Sequence, residues 1–104
     1  MKRIQKKIKD FCQKYNINSS IENRLLDTMS ELGEVSKEVL KMKDYGKSKL
    51  EYRKKIRGEL GDLFFSLITV ANFFDINLEE VLEEVLSKYK ERLDKKGSIG
   101  SEDS

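Results

Sequence analysis

Apolar residues recur every three or four positions along most of this chain, and no proline interrupts them. That spacing places side chains on one face of an α-helix, which turns once in about 3.6 residues. The chain has six glycines among 104 residues and is rich in Glu, Lys, Leu, Ile and Val, a mix that favours helix. A chain of this length forms one domain with a modest core. The sequence therefore predicts a single all-α domain.

Turn residues divide the chain into four predicted helices that form a four-helix bundle. Ser19 or Ser20 and Asn77 are N-cap candidates, and Asp44-Tyr45-Gly46 ends the second helix. The predicted helices cover residues 2–15, 20–43, from between 48 and 52 to 74, and 78–95. Residues 1–96 make up the predicted domain, and the tail 97–104 has almost nothing to bury, so we expect it to be disordered.

The apolar stripes predict which helix faces point inward. The second half of the third helix, residues 63–74, is apolar nearly all round and is predicted to be the buried centre of the bundle. The buried stripe of the first helix is predicted to be Ile4, Ile8, Phe11 and Tyr15. The buried stripe of the second is predicted to be Ile21, Leu25, Met29, Leu32, Val35, Val39 and Met42.

Composition excludes several kinds of chemistry. The chain has no histidine, which rules out imidazole as a base or metal ligand. Cys12 is the single cysteine, so neither a disulfide within the chain nor a thiolate zinc cluster can form, and a cytoplasmic setting is expected. Positive and negative charges nearly cancel to +2, which does not indicate a nucleic-acid binder. No apolar run reaches the roughly 18–20 residues of a membrane span, and no signal peptide is recognisable.

Two similar tetrapeptides, Glu31-Leu32-Gly33-Glu34 and Glu59-Leu60-Gly61-Asp62, lie 28 residues apart on two predicted helices. Each sets two carboxylates one helical turn apart, flanking an apolar stripe. Such pairs are most often solvated surface when they occur singly. Four acids at a duplicated spacing crowd like charges together, however, and a divalent cation relieves that crowding. Carboxylate oxygens are the ligands that Mg²⁺ prefers.

The residues around the motif support a site rather than a solvated surface. Asp62 directly precedes Leu63, Phe64 and Phe65, and a carboxylate buried there must be paired, neutralised or metal-bound. Lys37 and Arg57 are alternative partners. A glycine within each of two helices costs about 1 kcal/mol relative to alanine. That cost at matching positions suggests a close helix approach or space for a ligand.

Glu-x-x-Glu, then Glu-x-x-Asp, followed by an apolar helix and Ala71-Asn72, resembles the MazG-like nucleotide pyrophosphohydrolases. The resemblance runs from about residue 25 to 93 and includes the segment Asp75–Glu80. It implies that Glu31, Glu34, Glu59 and Asp62 coordinate Mg²⁺, with Mn²⁺ as a substitute. Many members have Glu where this chain has Ser30, which removes an accessory carboxylate that Glu38 could partly replace.

The resemblance implies hydrolysis of a nucleoside triphosphate to its monophosphate and pyrophosphate, for housecleaning of the nucleotide pool. Without histidine, a carboxylate is the natural general base, and Glu31, Glu34 and Glu38 are the candidates. By the same resemblance, Asn72, Lys88 and Arg92 are substrate-binding candidates. Residues 37–58 carry nine lysines and arginines against three acids, which makes them a solvated connection or counter-charges for phosphates. The resemblance also implies a homodimer or homotetramer with active sites formed partly at the interface.

Two rival functions belong to other classes. The first is a non-catalytic helical interaction module whose acids are structural or metal-binding; it would fold fully and ignore metal chelation. The second is a nucleic-acid binder that uses the basic first helix and the basic connection, and its binding would depend on salt. We expect neither nucleic acid nor membrane as a partner. The base and sugar of the substrate, and the number of metal ions, are not specified by these residues.

Overall fold

The computed structural model describes residues 1–100 of the chain, and that part contains helices but no strand. The helices are α1 (Lys2–Lys14), α2 (Ile21–Met42), α3 (Ile56–Phe73) and α4 (Leu78–Lys96). The all-α prediction with four helices is therefore confirmed. None of these helices is long and apolar enough to cross a membrane.

Helix ends follow the capping residues. The Ser20 hydroxyl accepts a hydrogen bond from the Asn23 backbone N–H at 3.2 Å, and the Asn77 side chain accepts from the N–H groups of Glu79 and Glu80. Each satisfies backbone donors that a first turn leaves free. Residues with positive φ interrupt the chain after α1, α2, α3 and α4: Asn16, Asp44, Tyr45, Gly46, Asp75 and Gly97.

The third helix begins later than predicted, at Ile56 rather than between residues 48 and 52. The connection folds back against the end of α2 instead: the Glu51 N–H donates to the Met42 carbonyl oxygen at 2.8 Å, and Arg53 forms an ion pair with Glu38 on α2. These contacts use backbone and side-chain groups in a non-helical conformation. The prediction was wrong because good helix formers there are held by tertiary contacts.

Helices α2 and α3 form an antiparallel hairpin, and α3 also packs against α1. This direction is shown by contacts between the start of α2 and the end of α3, and between the end of α2 and the connection that leads into α3. The Arg24 guanidinium donates to the Thr69 carbonyl oxygen at 2.7 Å, and Glu38 meets Arg53 near the other end. Helix α4 is attached at its start, where the Gln5 side chain accepts from the Leu78 N–H at 2.9 Å.

The predicted faces of α1 and α2 are shielded only in part: Ile8, Ile21, Val35 and Met42 are shielded as predicted, and the other residues of the two stripes are exposed. The shielded residues of α2 recur at intervals of three and four and face α3. Together with the α3 residues that face them, they form what we call the seam. The seam consists of Arg24, Thr28, Glu31, Val35, Glu38, Met42, Ile56, Glu59, Leu63, Ser66 and Val70. Leu25, Met29, Leu32 and Val39 are instead between 42% and 69% exposed. Likewise Ile4, Phe11 and Tyr15 of α1 are exposed, while Gln5 is buried.

A single copy therefore has a very small core. Its buried apolar residues in the described range are Met42, Ile68 and Ala71, with Ile68 of α3 fully buried. The radius of gyration is 17.1 Å, against about 13 Å for a compact chain of this length. In a single copy the four helices are thus openly arranged, with α1 and α2 packed on α3 and α4 attached at its start.

Only the first part of the predicted disordered tail lies within the described residues. Gly97 ends α4 in the left-handed conformation, and its N–H donates to the Leu93 carbonyl oxygen at 2.9 Å. The Arg92 guanidinium donates to the Ile99 carbonyl oxygen at 3.0 Å. The remaining tail residues, 101–104, lie outside the described range.

Candidate metal and active site

The seam brings Glu31 of α2 against Glu59 and Asp62 of α3. One carboxylate oxygen from each lies within 4.8 Å of the others. Glu31 and Glu59 are partly buried in the seam, whereas Asp62 is exposed at its edge. The antiparallel register produces this meeting because the two motif halves occupy the middle of α2 and the first turns of α3. We call these three residues the acidic trio.

The two sides of the hairpin differ in chemistry, and a one-residue offset explains why. Each residue that follows a seam residue is rotated by about 100°, and in an antiparallel pair such residues point to the same side. The apolar side consists of Leu25, Met29, Leu32, Val39, Leu60, Phe64 and Leu67. Each residue that precedes a seam residue points to the opposite, charged side, which includes Asp27, Glu34, Lys37, Lys41, Lys55 and Asp62. The acidic trio therefore opens toward the charged side.

Like charges crowd around Glu31. Partial burial raises its pKa above the ordinary value of 4.5, and the nearby carboxylates of Asp62, Glu59, Glu34 and Asp27 raise the pKa further. A raised pKa means that the ionised form is disfavoured where it stands. Three carboxylates held this closely therefore repel one another unless a proton or a cation intervenes.

Protein cations do little to relieve this repulsion. In the described part of the chain, no lysine or arginine forms an ion pair with Glu31 or Asp62, and the Lys55 ammonium lies 3.9 Å from a Glu59 oxygen. Because the trio offers oxygen ligands from partly buried and exposed carboxylates with no strong internal counter-charge, its chemistry fits a hard divalent cation. The residues present thus suit Mg²⁺ or Mn²⁺.

Glu34, the fourth predicted ligand, lies outside the trio. It is exposed on the charged side of α2, one turn beyond Glu31, and is close enough to contribute to the raised pKa of Glu31. The structure thus brings three of the four motif acids together and leaves the fourth beside them. Its long side chain is free of any hydrogen bond or ion pair within residues 1–100.

Glu38, predicted as a possible general base, is held in a different environment. Its side chain is 2% exposed, and one carboxylate oxygen lies 2.5 Å from the Arg53 Nε. A carboxylate shielded from water and engaged by a guanidinium is poorly placed to accept a proton from water. Sequence reasoning missed Arg53 among nine basic residues, because only the folded-back connection singles it out.

The predicted substrate residue Asn72 lies at the other end of α3, about 15 Å along the helix from Asp62. Its side-chain amide oxygen accepts a hydrogen bond from the Gln5 side-chain amide at 3.1 Å, and its side-chain amide nitrogen donates to the Gln5 backbone carbonyl oxygen at 3.0 Å. It lines a groove of about 630 Å³ between α1 and the α3–α4 turn. Within one chain, Asn72 joins α1 to α3 rather than contributing to the acidic trio.

Lys88 and Arg92, the other predicted substrate residues, lie on α4 beside Tyr89. The Lys88 ammonium is 5.3 Å and the Arg92 guanidinium 6.0 Å from the centre of the Tyr89 ring. No hydrogen bond or ion pair within residues 1–100 joins either of them to a motif acid. A single chain therefore does not bring these two cations to the trio.

The two motif glycines have free space around them. A Cβ atom added at Gly33 or Gly61 would meet no other heavy atom within 4 Å. The close helix approach that their matching positions suggested is therefore not seen within one chain.

Residues 19–96 match the family model of the MazG nucleotide pyrophosphohydrolase domain. Uncharacterized protein YpjD of Bacillus subtilis (strain 168) is 40% identical to the chain over 65 residues. That alignment covers 60% of this chain and 57% of YpjD, so the chain spans less than two-thirds of this relative. No solved structure is significantly similar to the chain.

Proposed function

Because the chain belongs to the MazG nucleotide pyrophosphohydrolase family, we propose that it hydrolyses a nucleoside triphosphate to its monophosphate and pyrophosphate with the help of Mg²⁺. The observation that carries this proposal is the acidic trio, whose oxygens lie within 4.8 Å of one another and crowd without a strong protein cation. Family membership supports the reaction class, and the trio supports the metal.

Glu31, Glu59 and Asp62 would hold the ion, and Glu34 would complete the set by turning toward them. When bound, Mg²⁺ supplies charge neutralisation for phosphate oxygens and a more acidic water. Glu34 is exposed beside the trio, and its carboxylate would accept the proton of the attacking water. Attack at the α-phosphorus then breaks the bond to the β-phosphate oxygen, and pyrophosphate leaves.

Cations on the charged side would receive the outer phosphates. Lys37 and Lys41 project from α2 on the same side as Glu34, and Lys55 precedes α3 there. Lysines act as point charges for phosphate without requiring the fixed geometry of a guanidinium. Lys55 is the cation beside the trio, with its ammonium 3.9 Å from a Glu59 oxygen. Lys37 and Lys41 lie about 9 Å and about 15 Å along α2 from Glu31, so the triphosphate would extend from the metal toward them along one face of the hairpin.

We also propose that two copies associate through the apolar sides of their hairpins. Seven large apolar residues are exposed there, a patch of the kind that marks an interface between proteins. Because the trio opens toward the opposite, charged side, the apolar contact alone does not bring Lys88 and Arg92 to a trio. We propose that α4, which is attached to its own chain at its start, extends past that contact to the trio of the partner copy. A homodimer is the smallest assembly in which the apolar sides are covered and α4 of one copy reaches the trio of the other.

The experiment that tests the activity is incubation of the purified chain with a panel of nucleoside triphosphates and Mg²⁺. The panel includes deoxynucleotides and chemically modified triphosphates, so that a housecleaning role is examined together with substrate preference. Monophosphate and pyrophosphate should appear in equal amounts, and a chelator should stop their release. Release of inorganic phosphate with a diphosphate would contradict attack at the α-phosphorus.

The matched control pair is Asp62→Asn and Glu22→Gln. Both remove one negative charge from a helix of the hairpin, but Glu22 lies in the first turn of α2, away from the seam. Turnover should be lost in the first variant and kept in the second. If neither the wild-type chain nor any variant hydrolyses a triphosphate, and the chain folds with or without chelator, the result would favour the non-catalytic interaction module.

A further inference from the structure

We propose that Arg53 is a positioning residue for the metal site. Through its ion pair with the buried Glu38, Arg53 fixes the register of the α2–α3 hairpin and so holds Glu31 against Glu59 and Asp62. The proposal rests on the proposed metal site and assigns new roles to two residues: Arg53 as anchor, and Glu38 as its buried partner rather than a general base.

The contacts of the hairpin support a register function. In an antiparallel pair, the numbers of residues that face each other add up to a nearly constant sum. Arg24–Thr69 joins the two helices in such a register, and Glu38–Arg53 and Met42–Glu51 tie the connection that leads into α3 to the end of α2. The acidic trio obeys the same register. It therefore lies between two polar anchors, one formed by Arg24 and the other by Arg53.

Burial makes the Arg53 anchor specific. Glu38 is 2% exposed, whereas the Arg53 side chain is 46% exposed, so the arginine reaches in from the connection to a carboxylate that water cannot solvate. A buried carboxylate deprived of its partner is strongly unfavourable. If Arg53 is removed, α2 is expected to turn or shift until Glu38 reaches water. Glu38 and Glu31 lie on the same face of α2, so that movement carries Glu31 away from α3.

The position of the anchor matters because the three carboxylates of the trio repel one another. Three carboxylates within 4.8 Å push α2 and α3 apart at the middle of the hairpin. Arg24 restrains one end through the carbonyl oxygens of Ser19 and Thr69. Arg53 restrains the other end, two helical turns from Glu31. Since metal affinity depends on ligands that are already close together, loss of an anchor should weaken metal binding.

The test measures Mn²⁺ binding directly, by electron paramagnetic resonance of the full chain without nucleotide. The variants are Arg53→Gln, Glu38→Gln and the double variant, with Lys54→Gln as the matched control on the exposed neighbour of Arg53. Each single variant should raise the Kd for Mn²⁺ about tenfold, as loss of a group that orients ligands does. The double variant should bind no more weakly than the single variants, because both act through one pair. The control should bind as the wild type does.

Arg53→Lys is the second variant, to be used if Arg53→Gln fails to fold. It keeps the charge but not the planar fork, and it should bind Mn²⁺ more weakly than the wild type and more tightly than Arg53→Gln. Wild-type Mn²⁺ affinity in either folded Arg53 variant would overturn the proposal. A raised KM for triphosphate with unchanged Mn²⁺ binding would also overturn it and make Arg53 a phosphate contact.

The same titration separates this inference from the activity on which it rests. A wild-type chain that binds Mn²⁺, loses affinity with Arg53→Gln and yet hydrolyses no triphosphate would support the anchor and refute the proposed reaction. A wild-type chain that binds no Mn²⁺ would refute both.

Discussion

At the scale of single residues, Glu31 combines two roles that oppose each other. It is the α2 member of the acidic trio, and its carboxylate is the one whose pKa is raised by burial and by its acidic neighbours. We expect Glu31→Gln to abolish triphosphate hydrolysis and Mn²⁺ binding, while raising the melting temperature of the metal-free chain because one repelling charge is gone. Calorimetry in chelator, beside a turnover assay, measures both.

The control for that prediction is Glu83→Gln on α4, which removes a charge outside the hairpin. It should leave turnover and metal binding intact. A Glu31→Gln chain that melts below the wild type in chelator would show that the carboxylates attract stabilising partners rather than repel one another.

The raised pKa of Glu31 also predicts a dependence of stability on pH. A carboxyl group whose pKa is higher in the folded state than its ordinary 4.5 binds its proton more tightly when folded. Its contribution to stability is therefore present below pH 4.5 and lost as the pH rises through the raised pKa. In chelator, the melting temperature of the wild type should fall relative to that of Glu31→Gln across this range. A difference that is constant with pH would contradict the assignment.

Some of these residues could be predicted from the sequence and others could not. The trio followed from the duplicated motif, because two acids at helical spacing on each of two helices have few other uses. Arg53 could not be recognised among its basic neighbours, since its partner is determined by the way a connection folds back. The motif and the resemblance assigned all four acids as ligands; the structure brings Glu31, Glu59 and Asp62 together, and the ligand role of all four stays a prediction.

At the scale of helices, the motif glycines are the simplest element to test. Gly33 and Gly61 have ordinary helical neighbours and open space where a Cβ would be. We expect Gly33→Ala and Gly61→Ala each to stabilise the chain by about 1 kcal/mol, since glycine lowers helix stability by that amount. Chemical denaturation measures the change. Loss of turnover or of association at unchanged or greater stability would show that a ligand or a second copy uses the space.

The helices also show where periodicity misleads. The spacing of apolar residues predicted all four helices, and the turn residues predicted the N-caps Asn77 and Ser19 or Ser20, of which Ser20 is the one observed. For α2 the apolar spacing was right for Ile21, Val35 and Met42 and wrong for Leu25, Met29, Leu32 and Val39, because periodicity locates an apolar stripe without saying what covers it. Here the seam contains Glu31 and Glu38, and Leu32 and Val39 follow them on the apolar side.

At the scale of the whole molecule, the exposed apolar side predicts association. We expect the wild-type chain, of 12.2 kDa, to have about twice that mass in solution by light scattering. Phe64→Glu places a charge in the middle of the apolar side and should yield the mass of one copy. Turnover should fall with it, because we propose that α4 of one copy serves the trio of the other.

Ile17→Glu is the matched control for that experiment. It places the same charge at a residue that is about as exposed, 40% against 42%, but lies in the turn between α1 and α2. It should leave the mass and the turnover unchanged. A Phe64→Glu chain that remains associated and active would mean that copies meet elsewhere.

The overall arrangement was only partly predictable. The number of helices follows from the apolar spacing and turn residues of the chain. The central position of α3 follows from its apolar sequence, and Ile68 of this helix is fully buried. The openness of the single chain, with its radius of gyration of 17.1 Å, could not be read from composition, since an apolar stripe looks the same whether its own chain or another covers it.

The offset of one residue between the seam and its two flanks bears on how such a chain can evolve. A substitution on the charged side changes what is recognised without altering the surface on which another copy would rest, so substrate range can drift independently of assembly. An inserted or deleted residue within α2 is different. It would rotate half of the helix by about 100° and could bring Leu32 or Val39 to the seam in place of Glu31 or Glu38. Natural variants should therefore differ freely in side chain here but keep a constant length between Arg24 and Glu38.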